Sequence, residues 1–374
     1  MRLVLALVCL ALGSTLAAAQ TTPPKSQMAP AAAPMTPPKF EVDPFWPKPL
    51  PHRWILGQVS GVDVDKQDNI WIIHRYRRLP PDEMAAAMKP PTSKCCIPAP
   101  PVVVFNQAGD VIKTWGGPGQ GYDWPEMEHG MYIDPKGFVW IGGNGKTDGM
   151  VLKFTQDGKF VMQIGKSGPQ TNSQDTTRLG EAADFVVDPA ANEVYIADGY
   201  HNHRVIVFDS ETGAFKRMWG AYGKPPTDEK MPKYSPTAAP SPQFGNPVHC
   251  VKLAKDGLLY VCDRTNDRVQ VFKKDGTFVK EFFVEKNTLR SGSMWNLAFW
   301  NDPKQTYFLN ADGSNNEVRT LNRDTFETVG TLGQQGRYAG QFHWVHNLAV
   351  DSHGNLYTTE VGTGERVQKF KHVN

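Results

Sequence analysis

A repeated pair of hairpins constrains the fold of this 374-residue chain more than any other feature. Six stretches share an apolar strand, a polar turn and a second apolar or aromatic strand, and they begin at residues 61, 130, 184, 250, 296 and 347. In five of them a second hairpin follows, with alternating apolar positions around turns such as Asp-Gly or Glu-Thr-Gly. Repeats of this length, built from antiparallel strands, are typical of a propeller in which each repeat forms one blade.

The last repeat indicates how the ring closes. It ends at RVQKFKHVN, one strand short of the others, while the segment 40–57 precedes the first repeat without a blade of its own. Within that segment, Trp54-Ile55-Leu56-Gly57 resembles the TWG, QIG and MWG endings of other blades. We expect an N-terminal strand from this segment to complete the last blade, which leaves no exposed sheet edge. The sequence thus predicts an all-β, six-bladed β-propeller with four-stranded blades over residues 40–374.

The N-terminus has the pattern of a secretory signal peptide. Arg2 precedes the apolar run 3–12, and a small-residue cleavage site follows at 17–19. We expect residues 1–19 to be removed on export and residues 20–39, rich in Pro, Ala and Thr, to form a disordered leader. The mature protein is expected to be periplasmic or secreted.

Charge and hydropathy restrict the partners. No later segment approaches the ~20 consecutive apolar residues of a membrane helix, so we expect no membrane insertion. A net charge of +2 with both signs interspersed argues against a nucleic-acid surface. We expect a monomer that acts on a small-molecule or peptide substrate.

Three histidines share one phase of the repeat, each standing eight residues before a glycine: His129, His249 and His346. This phase lies just before the innermost strand, beside the central channel, and the other three blades carry Ser60, Ala183 and Trp295 there. Because the histidines fall in alternate blades, their imidazoles should converge on the axis. Three imidazoles with one open position are the ligand set of a catalytic zinc, although the same ligands suit other divalent transition metals. The alternative is three unrelated strand-capping histidines.

Further polar residues follow the second strands of the blades, in loops that open on the same face. They are Arg75 in blade one, Tyr200 in blade three and Arg264 in blade four. Two arginines can hold a carboxylate through charge-assisted hydrogen bonds, and a tyrosine beside cations and a metal can act as acid or base. For Arg264, an ion pair with Asp263 is the alternative.

Four cysteines remain after removal of the signal segment. Cys250 and Cys262 should lie opposite each other in one hairpin, and an oxidising compartment permits a disulfide there. Two buried free thiols are the alternative. The sequence assigns no partner to the adjacent Cys95 and Cys96.

Several of these motifs together resemble one known family. DGYHNHRVIVF, FGNPVHCVKL…VCDRTNDRVQVF and GQVSGVDVD…IIHR are similar to the NHL-repeat propeller of peptidyl-α-hydroxyglycine α-amidating lyase, over residues 53–374. The resemblance implies a zinc lyase that cleaves a carbinolamide C–N bond to give an amide and glyoxylate. It implies the three histidines as zinc ligands, and it implies Tyr200, Arg75 and Arg264 as catalytic residues.

The resemblance also implies a structural calcium in the channel. Its ligands match the backbone carbonyls of Val62 and Met131 and the side chain directly after the third histidine. The family has a carboxylate at that last position, whereas this chain has Asn347, whose single neutral oxygen would weaken the site.

Two other functions stay open from the sequence. Asn347 and the long Pro-rich loop 76–101 depart from the family pattern, and we expect the loop to be a lid that reshapes substrate access. These departures motivate a metal-dependent lactone or ester hydrolase on the same ring. The other alternative is a non-catalytic NHL propeller that binds a peptide, glycan or polymer.

Overall fold

The computed structural model describes Met1 and residues 35–373. The predicted signal peptide, apart from Met1, and the predicted leader as far as residue 34 lie outside the described residues. None of the described helices has the length and hydropathy needed to cross a bilayer.

The described residues form strands connected by turns and short 3₁₀ helices. The strands are β1 Lys39–Asp43, β2 Trp54–Ile55, β3 Val59–Val64, β4 Ile70–His74, β5 Ile97–Pro98, β6 Val102–Phe105, β7 Val111–Trp115, β8 Glu128–Ile133, β9 Val139–Gly143, β10 Met150–Phe154, β11 Phe160–Gly165, β12 Ala182–Asp188, β13 Glu193–Asp198, β14 Arg204–Asp209, β15 Phe215–Trp219, β16 Val248–Leu253, β17 Leu259–Asp263, β18 Arg268–Phe272, β19 Phe278–Phe283, β20 Asn296–Phe299, β21 Tyr307–Asp312, β22 Glu317–Asn322, β23 Thr328–Leu332, β24 Val345–Val350, β25 Leu356–Glu360 and β26 Val367–Val373. The 3₁₀ helices are Pro51–Arg53, Tyr76–Arg78, Pro81–Ala87, Ala221–Gly223 and Arg264–Asn266.

Six four-stranded antiparallel sheets form the blades. Their strand orders are β3-β4-β6-β7, β8-β9-β10-β11, β12-β13-β14-β15, β16-β17-β18-β19, β20-β21-β22-β23 and β24-β25-β26-β1. The first strands of consecutive blades contact each other around the whole ring, and β24 of blade six returns to β3 of blade one. The predicted six-bladed β-propeller with four-stranded blades is confirmed.

An aspartate in the turn between the first two strands shapes several blades. In blade one, Asp65 Oδ1 accepts the backbone N–H groups of Gln67 and Asn69, both at 2.9 Å. Its other oxygen accepts the indole N–H of buried Trp71 at 2.8 Å. The same arrangement recurs in blade two, where Asp134 accepts the indole N–H of Trp140 at 2.9 Å. One carboxylate therefore fixes the hairpin turn and also satisfies a donor that burial would leave unpaired.

The strand that closes the ring lies further toward the N-terminus than the sequence resemblance indicated. The outermost strand of blade six is β1, whose Lys39 pairs with Val373, so the prediction of an N-terminal closing strand is confirmed. The resemblance of Trp54-Ile55-Leu56-Gly57 to the ends of other blades did not identify this strand. Trp54–Ile55 instead pairs in parallel with Ile97–Pro98. Four prolines between residues 44 and 51 separate the two segments, and proline cannot donate to a strand ladder.

A disulfide joins the two inner strands of blade four. Cys250 of β16 and Cys262 of β17 are register partners, fully buried and bonded to each other, with Cα atoms 4.8 Å apart. The structure also joins the adjacent Cys95 and Cys96.

We expect the double substitution Cys250→Ala/Cys262→Ala to lower the free energy of unfolding by about 3 kcal/mol, because the bridge closes a loop between residues 12 apart. Denaturant titration measures this difference. The matched control is Cys95→Ala/Cys96→Ala, which opens almost no loop and should change the unfolding free energy by less than about 1 kcal/mol. Equal losses in the two variants would contradict the expectation.

Candidate metal centre

The structure brings the three repeat-phase histidines together at the channel axis. His129, His249 and His346 are 1%, 1% and 2% exposed. Their ring centroids are 4.7 to 5.1 Å apart, and one nitrogen from each ring lies within 4.8 Å of the others. Among the described residues, this is the group of histidine, cysteine or acidic side chains placed to hold a metal ion.

Each imidazole is oriented by the neighbouring blade. His129 Nδ1 bonds to the carbonyl oxygen of Ala183 and His346 Nδ1 to that of Ser60, both at 2.8 Å. His249 Nδ1 bonds in the same way to Trp295 O. A carbonyl can only accept, so the proton lies on Nδ1 in all three rings and each Nε2 keeps its lone pair. The three blades without histidine therefore supply the carbonyls that fix the tautomer.

The same surroundings keep the imidazoles neutral. Burial lowers the pKa of His129, His249 and His346 well below the usual range for histidine. Positive charge from Arg75 and Arg264 lowers the pKa of His346 further. Neutral imidazole is the form that binds a metal, so three oriented and neutral Nε2 atoms fit a divalent transition-metal ion.

Tyr200 lies directly against this group. Its hydroxyl oxygen is 2.9 Å from His129 Nε2 and 3.0 Å from His249 Nε2, so the phenol can donate its proton to either ring. Arg264 Nη1 donates to the same oxygen at 3.3 Å. The phenol thus connects two of the imidazoles with a cation.

Arg75 is buried beside the centre without a carboxylate partner. Its Nε donates to Glu128 O at 3.0 Å, one terminal nitrogen to Gln58 Oε1 at 2.7 Å and the other to Asn144 Oδ1 at 3.2 Å. All three acceptors are neutral. Each terminal nitrogen carries two hydrogens, so two N–H donors stay free. Burial lowers the pKa of Arg75, as expected for a cation that a bound anion would stabilise.

Arg264 is not the ion-pair partner of Asp263. The Asp263 carboxylate instead accepts from Arg268 Nε at 2.7 Å, with both side chains fully buried. The Arg264 guanidinium lies over the ring of Trp295, 4.4 Å from its centroid, and its Nε has no hydrogen-bond partner. Within the described residues, no carboxylate reaches ion-pairing distance of Arg75 or Arg264. Both cations are available to an anionic ligand.

Buried ion pairs anchor the loops that carry these residues. The acidic residue at the end of a second strand pairs with an arginine that begins the third strand, as in Asp198–Arg204 and Asp263–Arg268. Removing one partner would leave an uncompensated buried charge, which costs about 3–5 kcal/mol. The positions of Tyr200 and Arg264 are therefore held by their own blades.

A cavity of about 300 Å³, called the metal cavity below, connects the candidate metal centre to solvent. Besides Arg75, Tyr200, Arg264 and His346, its wall includes Gln58, Asn144, Trp295, Trp344, Val361 and Gly362. Sequence reasoning placed Trp295 beside the channel but missed Gln58, Asn144 and Trp344, because no motif marks a side chain that supports an arginine or walls a cavity. Trp344 was nonetheless within reach, since it stands two residues before His346.

The predicted calcium ligands are buried along the channel, but the side chain of Asn347 is already engaged. Val62, Met131 and Asn347 are 4%, 2% and 4% exposed. The Asn347 amide oxygen accepts the N–H of Leu348 at 2.7 Å. A carboxylate does occur at the matching phase of blade three, where Asp184 pairs with Lys252 at 2.7 Å. The calcium site stays a prediction.

The loop 76–101 lies over blade one and reaches both neighbouring blades. Arg77 is 3.6 Å from Glu128 of blade two, while the Glu83 carboxylate contacts that of Glu365 in blade six. None of the loop's residues, all of which the structure describes, lines the metal cavity. Its role as a lid stays a prediction.

The contact between Glu83 and Glu365 makes this loop sensitive to pH. Burial, together with the neighbouring carboxylate, raises the pKa of Glu365 from an ordinary value of 4.5 to about 7, and Arg337 opposes the shift. Because the folded-state pKa is raised, this contact stabilises the position of the loop against blade six fully below about pH 4.5. The stabilisation is lost as the pH rises through about 7.

We therefore expect faster hydrogen exchange in the loop at pH 8.5 than at pH 5.5, after correction for intrinsic rates. The amides of Ala86 and Thr92 are suitable probes, since they donate to Cys96 O and Ala85 O. Glu365→Gln should remove the pH dependence, whereas the exposed control Glu327→Gln should keep it. Identical protection at both pH values in the unsubstituted protein would contradict the expectation.

The fold defines the chain as a six-bladed β-propeller, with three histidines at its axis. The family model described as NHL repeat matches residues 179–208, the third blade from just before β12 through most of β14.

Its sequence is similar to proteins of peptide amidation. Peptidyl-alpha-hydroxyglycine alpha-amidating lyase 1 of Drosophila melanogaster is 26% identical over 343 residues, covering 85% of this chain and 57% of that protein. Peptidyl-glycine alpha-amidating monooxygenase B of Xenopus laevis is 27% identical over 230 residues, 60% of this chain and 24% of that protein. The matched regions therefore span only about a quarter to just over half of these relatives.

Among solved structures, a streptogramin B lyase has a TM-score of 0.53 and 12% identity, covering 89% of this chain and 98% of that chain. At this identity the likeness shows the fold alone.

Proposed function

We propose that this protein is an exported, metal-dependent lyase, with zinc as the metal, that cleaves a peptidyl-α-hydroxyglycine into a peptide amide and glyoxylate. One observation carries the proposal: three neutral imidazoles converge on one point, and one of them, His346, lines the adjoining cavity together with a phenol and two arginines that have no carboxylate partner. The similarity to a protein named as an amidating lyase supports the same reaction.

The arginines account for the substrate's carboxylate. A peptidyl-α-hydroxyglycine ends in a carboxylate one bond from the reacting carbon. Arg75 offers two free N–H donors and is fixed by three neutral acceptors, so it can bind both carboxylate oxygens without first breaking an ion pair. Arg264, stacked on Trp295, adds a second positive charge over the ring of Tyr200.

Tyr200 accounts for the proton transfer. Cleavage breaks the bond between the amide nitrogen and the hydroxyl-bearing carbon, and the electron pair leaves with nitrogen. The hydroxyl loses its proton as it becomes the aldehyde of glyoxylate, and the nitrogen gains one. The Tyr200 hydroxyl can relay this proton, because it lies beside two of the Nε2 atoms and accepts a hydrogen bond from Arg264. A metal on those nitrogens would leave the phenol proton available to the substrate. No other reactant is needed, since the reaction neither adds water nor changes the total oxidation state.

The histidines hold the metal in this proposal. A divalent ion on the three Nε2 atoms supplies Lewis acidity toward a substrate oxygen. The protein's own contribution is the fixed tautomer, which the carbonyls of Ser60, Ala183 and Trp295 impose.

The test is glyoxylate release from an α-hydroxyglycine peptide by purified, metal-analysed protein, before and after treatment with a chelator. We expect one metal ion per chain, activity that chelation removes, and recovery on adding zinc. A metal-loaded protein that hydrolyses a lactone or ester and releases no glyoxylate would overturn the lyase in favour of the hydrolase. A protein without metal and without turnover would favour the binding module.

Arg75→Lys should lower kcat/KM for the α-hydroxyglycine peptide by about 10 to 100-fold, since a hydrogen bond to a charged group is worth about 1.5–3 kcal/mol. Lysine keeps the charge but cannot make the two parallel bonds to a carboxylate. The matched substrate is the same peptide with its terminal carboxylate converted to a primary amide. The difference between Arg75→Lys and the unsubstituted enzyme should nearly vanish with it. An equal loss on both substrates would show that Arg75 acts other than by binding the carboxylate.

A further inference from the structure

A second and larger cavity lies beside the metal cavity. Its volume is about 680 Å³, within the range of about 300–1,000 Å³ found for ligand cavities. The same two loops border both cavities: Tyr200 lines the metal cavity and His203 the second, while Arg264 lines the metal cavity and Thr265 the second. The two spaces are therefore neighbours separated by only a few residues of chain.

Hydrogen bonds fix the wall between the cavities. The side-chain amide of Asn246 donates to Gly199 O at 2.9 Å, and His203 Nδ1 bonds to Phe244 O at 2.8 Å. These contacts attach the segment that connects blades three and four to the loop that carries Tyr200. Defined hydrogen bonds therefore fix the wall of the second cavity next to the candidate active site.

Positive charge dominates the lining of the second cavity. Lys230, Lys233 and Arg290 line it, and none of them forms an ion pair with a described residue. Two acidic residues also line the cavity. Asp228 accepts hydrogen bonds from the hydroxyl and the backbone N–H of Ser173 at 2.6 and 3.0 Å, whereas the carboxylate of Glu229 has no partner among the described residues. Three unpaired cations against one unpaired carboxylate favour an anionic ligand.

The lining also offers apolar surface. Phe244 is almost fully buried at the base of the cavity, whereas Leu289 is 56% exposed. Met231 lines the same space and is partly buried. An exposed leucine beside unpaired cations suits a ligand that carries both an apolar group and a carboxylate.

We propose that the second cavity binds the part of the peptide substrate that precedes the reacting residue, and that it prefers an apolar side chain next to an acidic one. The inference rests on the proposed function, because a peptide substrate must extend beyond the 300 Å³ metal cavity. The adjacent 680 Å³ cavity takes the extension, and Lys230, Lys233 and Arg290 bind its acidic side chain.

The kinetic test compares two substrates: N-benzoyl-α-hydroxyglycine, which ends at the metal cavity, and a peptide with Glu-Leu before the α-hydroxyglycine. In the variant Lys230→Ala/Lys233→Ala/Arg290→Ala, the ratio of kcat/KM for the long substrate to that for the short one should fall about tenfold. A salt titration of the unsubstituted enzyme should reduce the same ratio.

The matched control removes three exposed lysines from turns within blades two, four and five, with the substitutions Lys159→Ala, Lys273→Ala and Lys304→Ala. This control should leave the ratio as it is in the unsubstituted enzyme. An unchanged ratio in the cavity variant, or an equal fall in the control, would overturn the inference.

Binding of the product separates this inference from the proposed reaction. A fluorescently labelled peptide amide ending in Glu-Leu should bind to the unsubstituted protein and to His249→Ala, and about tenfold more weakly to the cavity variant. If no glyoxylate is released but this binding pattern holds, the reaction is wrong and the peptide cavity stands. If the peptide amide does not bind, or binds equally to the cavity variant, the peptide cavity is wrong whatever the turnover.

Discussion

Replacing His249 with alanine should remove the bound metal and abolish activity. His249 is one of three Nε2 donors at the axis, and each donor is fixed by a carbonyl of the next blade. Loss of groups that merely orient a metal ligand costs about 10–100-fold in metal affinity, so loss of a ligand itself should cost more. We expect the purified variant to contain far less than one metal ion per chain and to release no measurable glyoxylate. Elemental analysis and the glyoxylate assay measure both quantities on one sample.

The matched control for this variant is His353→Ala. The side chain of His353 is 70% exposed in a turn of blade six, where it lies 3.6 Å from Asp68. Metal content and activity should stay at the level of the unsubstituted protein. One metal ion per chain in His249→Ala would show that the metal is held elsewhere. Circular dichroism of both variants checks that the propeller is intact.

Tyr200→Phe should lower kcat by about 10² to 10⁴-fold, the range that a positioned acid–base group contributes. The substitution removes one oxygen, which contacts His129, His249 and Arg264, and keeps the ring that packs beside them. Because the metal site is left with its three imidazoles, the metal content should stay near one per chain. Activity and metal content therefore separate in this variant, whereas they fall together in His249→Ala.

The control for the phenol is Tyr338→Phe, since Tyr338 is 82% exposed and outside both cavities. It should match the unsubstituted enzyme. If Tyr200→Phe retains full kcat, proton transfer does not pass through this residue. If its metal is lost as well, the phenol helps to hold the ion rather than to move a proton.

The fold was predictable from the sequence because the number of repeats gives the number of blades, and the hairpins in each repeat give the number of strands. Each hairpin has a recognisable turn sequence between two apolar strands. The last repeat lacks one strand, so its fourth strand must come from the N-terminal part of the chain. The position of that strand was harder to predict. Trp54-Ile55 has the composition of a blade edge, but the prolines before it direct the chain away from blade six, so Lys39–Asp43 forms the edge instead.

The location of the candidate site followed from the same repeat, and its supporting contacts did not. Phase alone predicted that His129, His249 and His346 meet at the axis. Gln58 and Asn144 accept hydrogen bonds from Arg75 and come from separate blades. They match no motif, since any polar side chain with an acceptor at the right distance would serve. Arg264 has no carboxylate partner because Asp263 pairs with Arg268 instead. The sequence alone could not decide which of these two nearby arginines pairs with Asp263.

The hydrogen bond from His346 to Ser60 crosses the seam at which the ring closes, between blade six and blade one. Blade six itself is complete only when the C-terminal β26 pairs with the N-terminal β1. A chain still being synthesised can orient His129 and His249 within finished blades, but its third imidazole has no fixed direction until the two ends meet. Under the proposed function, metal binding at full affinity would therefore require the closed ring. The fraction of chains that bind metal should then not exceed the fraction whose ring has closed.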